Sequence, residues 1–283
     1  MKRTVVLLAA ALLAGILGAH ALAEEGKGPE IPMIEIGKVK VFRAQGRVEV
    51  AGRIAIQRNL VELFACGEGG KVHETVVVIE GQPSHLHIAL QFLGFSDGGQ
   101  TKGLRKIRTE EDGKTVEKEV EVVEENGPNF LGDPRKPVGD RVIVTVAWTD
   151  EGKEHRVRAE DMIWERTRGR SMPRSGWIFT GSRTVQNPMT GKDEFAADHS
   201  QTVMTTWHDP DSLLDNPLPD GGDDEVYFAN PDVVPSPGTP VVIEFRKPSE
   251  QELSEAVDVE KKEEAAAAQR KKAETGGGPG EGK

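Results

Sequence analysis

The sequence predicts an α+β fold: a mainly antiparallel β-sheet with one short amphipathic helix packed on it, plus a marginal helix near the C-terminus. Three observations carry that expectation. Several stretches alternate apolar and polar residues, the period of a half-buried strand. Thr75-Val76-Val77-Val78-Ile79 is a continuous β-branched run, which suits a strand buried on both faces. Shortly after it, Leu86, Ala89, Leu90 and Leu93 fall on one helical face.

The elements follow in order. Residues 1–23 have the physics of a signal peptide: Lys2-Arg3, an apolar run to Leu17, and small residues at Ala21 and Ala23. The apolar run is shorter than the ~20 residues of a membrane span, so cleavage near Ala23 and an extracytoplasmic mature chain without a transmembrane anchor are expected. Losing the two charges of Lys2 and Arg3 takes the formal net charge from −11 to −13. So acidic a chain is unsuited to nucleic acid, whose binding runs on phosphate neutralisation by Lys and Arg. Residues 24–32 read as a disordered lead-in.

A single domain is expected over residues 33–247. Residues 33–41 and 47–56 alternate as strands around a Gln45-Gly46 turn, and 60–64 form a short strand ended by the glycines at 67, 69 and 70. After the 75–79 strand, Gly81-Gln82-Pro83 reverses the chain, Ser84 offers an N-cap, and Gly94 sits where a helix stops. Residues 114–124 alternate valines with charges, and Asp112-Gly113 predicts a hairpin turn. Residues 126–137 read as loop; 140–149, 154–158, 176–184, 201–207 and 241–245 read as strands; 159–164 as one helical turn. Residues 209–225 and 230–240 read as loops. Residues 248–283 change character. Ser249 and Glu252 form a capping-box pattern, but the apolar stripe is only Leu253, Ala256 and Val257, too narrow to anchor a long helix. A charged helix running into a disordered tail, dispensable for folding, is expected there.

The chemistry-bearing residues cluster between 60 and 95. Cys66 is the only cysteine, so no internal disulfide forms; it reads as a small buried hydrophobe, or as a thiolate nucleophile or metal ligand. Lys71, His73, Glu74 and His87 are the candidate pocket, where the glycine turn, the buried strand and the helix start converge. Adjacent strand residues point to opposite faces, so His73 and Glu74 are not expected to chelate one ion together. Cys66, His73 and His87 are the candidate metal set, although their spacing matches no established zinc pattern; otherwise no cofactor is predicted. His85 lies two residues before His87, too far round a helix to form a clamp with it. The acidic residues from Asp209 to Glu225 lack the order of a calcium loop and read as a solvated loop. Arg166, Arg168, Arg170 and Arg174 form the one local positive patch. No nucleophile elbow, phosphate loop or dinucleotide fingerprint is present.

Gly70-Lys71-Val72-His73-Glu74, then His87-Ile88-Ala89-Leu90 and Gly94, resemble the signature of YdjY-like domains. Further matching strings are Ala159-Glu160-Asp161-Met162, Trp177 to Ser182 and Gly238-Thr239-Pro240-Val241, and the resemblance covers about residues 39–246. It implies an exported bacterial domain whose activity is not assigned. Some such domains are described as ferredoxin-like; with one cysteine against the four thiolates of a cluster, that label does not mean iron–sulfur chemistry here.

Two functions are carried forward. One is a non-catalytic envelope module binding a small ligand or a partner protein. The other is a hydrolase or metal-dependent enzyme using Cys66, His73, Glu74 and His87; a tight cluster of these side chains would favour it, and dispersal would favour the module.

Overall fold

The structure is a computed structural model and describes residues 33–98, 101–111, 114–124, 137–187 and 189–276. The expected signal peptide (1–23) and lead-in (24–32), the Asp112-Gly113 tip, nearly all of the 126–137 loop and the last seven residues of the tail lie outside the described residues.

The described strands, in chain order, are β1 (Ile34–Ile36), β2 (Val39–Phe42), β3 (Arg47–Ile54), β4 (Leu63–Gly67), β5 (Thr75–Ile79), β6 (Thr101–Glu111), β7 (Lys114–Glu124), β8 (Arg141–Asp150) and β9 (Lys153–Arg158), followed by β10 (Ile163–Glu165), β11 (Arg170–Ser171), β12 (Trp177–Phe179), β13 (Thr184–Gln186), β14 (Asp193–Phe195), β15 (Thr202–Thr205), β16 (Leu214–Asp215), β17 (Tyr227–Ala229) and β18 (Pro240–Arg246). Three α-helices accompany them: α1 (Pro83–Phe92), α2 (Ala196–Ser200) and α3 (Glu250–Gly276).

The main sheet is not open. Starting from β3, pairing runs through β18, β8, β12, β16, β15, β4 and β5, and β5 pairs back to β3. Eight strands therefore close into a barrel, which removes the unpaired edges an open sheet would leave. Closure depends on β3 splitting one of its edges: residues 47–50 pair with β2, and residues 52–54 pair with β5. Gly52 sits at the changeover. A Cβ there would come within 2.5 Å of the Val78 carbonyl oxygen, so only glycine lets the strands cross this closely. Most pairings are antiparallel as expected, but β4–β5 and β15–β16 are parallel. The acidic segment expected to be loop supplies β16, and residues 225–230 supply β17, which pairs with β10 in a separate three-stranded sheet.

Alternation fills the barrel. Val48, Val50 and Ile54 of β3, Val142, Val144 and Val146 of β8, and Val241, Ile243 and Phe245 of β18 join one core with Phe64, Trp177 and Phe179. All five residues of β5 are buried, as the β-branched run requires. Val76, Val77 and Ile79 belong to the main core, while Val78 packs in a small second cluster with Leu63 and Cys66.

The α1 helix buries Leu86, Ala89 and Leu90, and burying each leucine contributes about 1.5–3 kcal/mol. Its start differs from expectation. Pro83 takes the first helical position, where its missing N–H costs nothing, and Ser84 gives no cap; its backbone N–H instead donates to Asp198 Oδ1 of α2 at 2.8 Å. The helical turn expected at 159–164 is a 3₁₀ turn over Ala159–Met162 that passes into β10.

The α3 helix forms where a charged helix was expected, but it is held in a way the stripe did not indicate. The stripe is as narrow as expected: Ala256 is buried, but Leu253 is 44% exposed. The capping box forms, with Ser249 N–H donating to Glu252 Oε2 at 2.9 Å and Glu252 N–H to Ser249 Oγ at 3.2 Å. What seats the helix is charge. Glu252 pairs with Arg246 and Arg158, Glu260 with Arg141, Glu263 with Arg168 and Arg170, and Arg270 with Asp220. No helix among the described residues is long and apolar enough to cross a membrane.

Candidate functional site

The Lys71–Glu74 segment lies on the return between β4 and β5. Because these neighbours are parallel, residues 68–74 must run back alongside β4 before β5 can start. Gly70 passes over Cys66, where a Cβ would meet the cysteine Cβ at 2.9 Å and its Sγ at 3.2 Å. Lys71 Nζ then pairs with Glu62 Oε2 at 2.7 Å and Glu74 at 3.6 Å, and Thr75 Oγ1 donates to the Lys71 carbonyl at 2.7 Å. The hydrogen bond to Glu62 raises the Lys71 pKa despite partial burial. Glycine, lysine and glutamate of the Gly-Lys-x-His-Glu string thus each hold the return segment in place.

His73 and Glu74 do not enter the strand as expected. They sit in a 3₁₀ turn, Val72–Glu74, ahead of β5, so their side chains are not forced to opposite faces; His73 Nε2 lies 3.4 Å from Glu74 Oε1. The His73 ring is 78% exposed. Cys66 is buried and unpaired; burial pushes its thiol pKa up, against a smaller opposing hydrogen bond from Thr75.

His87 has a different environment. It points from α1 between the rings of Phe179 (5.4 Å) and Phe195 (5.2 Å), and its Nε2 lies 3.0 Å from Asp97 Oδ2. Gln91 donates to the same oxygen at 3.0 Å. His85 packs its ring against Gly37, with a buried Nδ1 that has no hydrogen-bond partner among the described residues. The candidate residues therefore divide: Lys71, His73 and Glu74 share one turn, Cys66 lies beneath that turn in an apolar cluster, and His87 belongs to an aromatic and carboxylate setting on α1. Among the described residues, no group of three or more His, Cys, Asp and Glu side chains is placed to hold a metal ion.

A buried acid–histidine pair escaped sequence reasoning. Asp215 of β16 is fully buried and accepts from or shares a proton with His208 Nδ1 at 2.9 Å. Burial raises the Asp215 pKa; burial would lower that of His208, but the Asp215 charge and hydrogen bond outweigh it and the net shift is upward. The pair therefore holds a proton more firmly than either group alone. The turn Pro219–Gly222 covers it: the Gly221 carbonyl accepts the His208 backbone N–H at 2.8 Å, and a Cβ on Gly221 would lie 2.9 Å from His208 Nε2. With one nitrogen on Asp215 and the other under Gly221, the pair ties β16 to its neighbouring loop. Only the aspartate-rich composition of this segment hinted at it, and composition does not reveal which aspartate is buried.

The positive patch is neutralised in place. Arg168 and Arg170 pair with buried Glu165 and with Glu263, and Arg174 with Asp161 at 2.7 Å. Arg166, more than half exposed, lies with its guanidinium 5.0 Å over the Phe228 ring.

Arg166 borders a cavity of about 310 Å³ outside the barrel, lined by Arg58, Asn59, Trp164, Phe228 and Asn230 among others. Trp164 and Phe228 are direct cross-strand partners on β10 and β17, so their side chains stand on one face of the pair. Asn230 anchors the floor, its Nδ2 donating to the Asp161 carbonyl at 2.9 Å and Ser171 Oγ at 3.3 Å. Asn59 forms part of the wall at φ +96°, a left-handed conformation costly for a non-glycine residue, and its carbonyl accepts the Ala229 N–H at 3.0 Å.

Neither a curated protein nor a solved structure matches the chain. The family model of the YdjY domain matches residues 39–246, from the first residue of β2 to the last of β18, so the match contains every strand of the barrel and the cavity and ends before α3. By that match over most of its length, the chain belongs to the YdjY domain family.

Proposed function

We propose that this chain is an exported, non-catalytic module that binds a small ligand or a partner protein in the cell envelope, and that it binds at the Trp164–Phe228 cavity. The observation that carries the reading is the construction of that cavity: paired aromatics, a hydrogen-bonded floor and a strained wall residue, at the lower end of the size range of ligand sites. The candidate enzyme residues lend it support by their dispersal, with His73 in solvent, Cys66 in the barrel wall and His87 among phenylalanines. Export is proposed from the Lys2-Arg3 start, the apolar run and the Ala21/Ala23 cleavage pattern.

The test is native mass spectrometry with metal analysis on protein recovered from the exported fraction, beside a Trp164→Ala variant. The expected result is an N-terminus at Glu24 and a co-purifying non-covalent ligand or partner that the variant loses at unchanged melting temperature. Protein beginning at Met1, a stoichiometric metal, or a ligand held equally well by Trp164→Ala would overturn the reading.

A further inference from the structure

Resting on the binding-module reading, we propose that the cavity selects a ligand consisting of one ring with an apolar face and an attached carboxylate. The ring would lie against Trp164 and Phe228, and the carboxylate between Arg58 and Arg166.

The aromatic half of the argument is positional. In register, Trp164 opposes Phe228, and both side chains are half-buried where most large apolar residues near them are fully buried. Two adjacent rings left partly open on one sheet face make a platform for a flat apolar surface, either an aromatic ring or the C–H face of a sugar. The volume of about 310 Å³ admits a single substituted ring rather than a polymer, given the usual range of ligand pockets.

The anionic half rests on which cations remain available. The chain has 36 Lys and Arg against 47 Asp and Glu, and nearby arginines are committed to carboxylates: Arg168 and Arg170 to Glu165 and Glu263, Arg174 to Asp161. Arg58 is exposed and makes no ion pair among the described residues. Among the described residues Arg166 pairs only with Glu225, at 3.8 Å with both side chains more than half exposed, a contact of little strength in water. Stacked over Phe228, the Arg166 guanidinium is already oriented, which lowers the cost of forming a bidentate carboxylate contact. Asp232 also lines the cavity; the lining itself thus carries two guanidiniums and one carboxylate, with the exposed Glu225 outside it, loosely paired to Arg166, for the ligand's carboxylate to displace. The left-handed Asn59 sets the backbone next to Arg58, which lines the cavity edge.

Sugar acids and aromatic acids share this chemistry, and the experiment separates them. Mature protein is titrated by calorimetry with glucuronate and with indole-3-acetate, each beside its neutral counterpart, glucose and indole-3-acetamide. The expected result is that at least one acid binds at least tenfold more tightly than its neutral counterpart, that Arg58→Ala with Arg166→Ala removes this preference, and that Trp164→Ala abolishes binding, with the melting temperature of each variant unchanged. Glucuronate binding alone identifies a sugar-acid site, and indole-3-acetate binding alone an aromatic-acid site. Equal affinity for acid and neutral forms, a preference that survives the double arginine variant, or no binding of either acid at millimolar concentration would overturn the proposal. The binding-module reading fails separately: it falls if a probe is chemically turned over, and it stands if a co-purifying ligand is lost by Trp164→Ala while the arginine variants retain it.

Discussion

The barrel wall and the α3 helix are two solutions to the same problem, fixing a segment to the rest of the molecule. The wall buries Phe64, Trp177, Phe179 and Phe245 almost completely, and its attraction is non-directional and nearly indifferent to salt. The helix buries little apolar surface and is seated by Glu252, Glu260, Glu263 and Arg270 on arginines and an aspartate of the body. Such pairs are directional, screened by ions when exposed, and costly to break on one side when buried. One chain thus contains a salt-insensitive frame and a strap whose outer pairs, Glu252 with Arg246 and Arg270 with Asp220, are the salt-sensitive ones. The strap also decides the state of the arginine patch, because Glu263, with little exposure of its own, closes over Arg168 and Arg170.

The largest effect should come from the wall. Trp177 is fully buried and lies 5.9 Å from Phe64 between ring centroids. Trp177→Ala is expected to cost about 3–5 kcal/mol, read by urea unfolding, with the same loss at low and high salt. A loss that shrinks in salt would blur the distinction between the two regions.

Next comes the strap. Glu263→Gln leaves Arg168 and Arg170 short of a carboxylate they now contact at 3.0 and 2.8 Å. A loss of about 3 kcal/mol is expected, only weakly reduced by sodium chloride because Glu263 is nearly buried. Truncation after Lys247 also removes the more exposed Glu252–Arg246 and Arg270–Asp220 pairs, so part of its loss should fall as sodium chloride is raised. The narrow stripe argued that this segment is dispensable; the ion pairs argue that its removal strips partners from Arg141, Arg168 and Arg170 and lowers the melting temperature by several degrees.

This contrast also explains what the sequence could reveal. Strands with clean alternation or continuous β-branching, such as β3, β5, β8 and β18, were legible because burial imposes their period. Strand β12 was legible within the 176–184 stretch, but β16, of two residues, carries no period at all, and without it the barrel reads as an open sheet. The same blindness hid the His208–Asp215 pair, which exists only because β16 carries an aspartate into the interior. At the candidate site, the glycine turn at residues 67–70 was legible, but the 3₁₀ turn that holds His73 and Glu74 was not, nor was the separation of His87 from it, which follows from the docking of α1 against Phe179 and Phe195. The cavity was illegible for a further reason: Arg58, Trp164 and Phe228 come from three distant segments, and pairing between β10 and β17 brings two of them together.

The third effect is set by pH. The Arg246 hydrogen bond, against a smaller cost of burial, holds the Glu252 carboxyl down at about 2 from an ordinary 4.5. A carboxyl whose pKa is lower in the fold than in the unfolded chain contributes stability that is complete above the unfolded value and is lost as pH falls through the folded one. The stability difference between the native chain and Glu252→Gln should therefore be constant above about pH 5 and disappear toward pH 2, measured by urea unfolding across that range. A difference that persists unchanged at pH 2 would mean the Glu252 contacts act through packing rather than charge.

The smallest effect tests whether the two regions are mechanically independent. Cys66 is fully buried beneath the Gly70 backbone in a cluster with Leu63 and Val78. Burial raises its thiol pKa, so both access and thiolate content oppose reaction. Iodoacetamide should label native Cys66 at least a hundredfold more slowly than the urea-unfolded chain, because labelling must wait for opening of the wall, a rare event for core strands (~3 kcal/mol or more). The decisive comparison is made at the salt concentration that weakens the strap. If α3 is fastened to a self-sufficient barrel, its loosening leaves the β4–β5 wall closed and the labelling rate unchanged, in the native chain and in Glu263→Gln alike. If labelling accelerates in step with the salt-dependent loss of α3, the helix completes the stability of the wall, and the frame and strap are one cooperative unit.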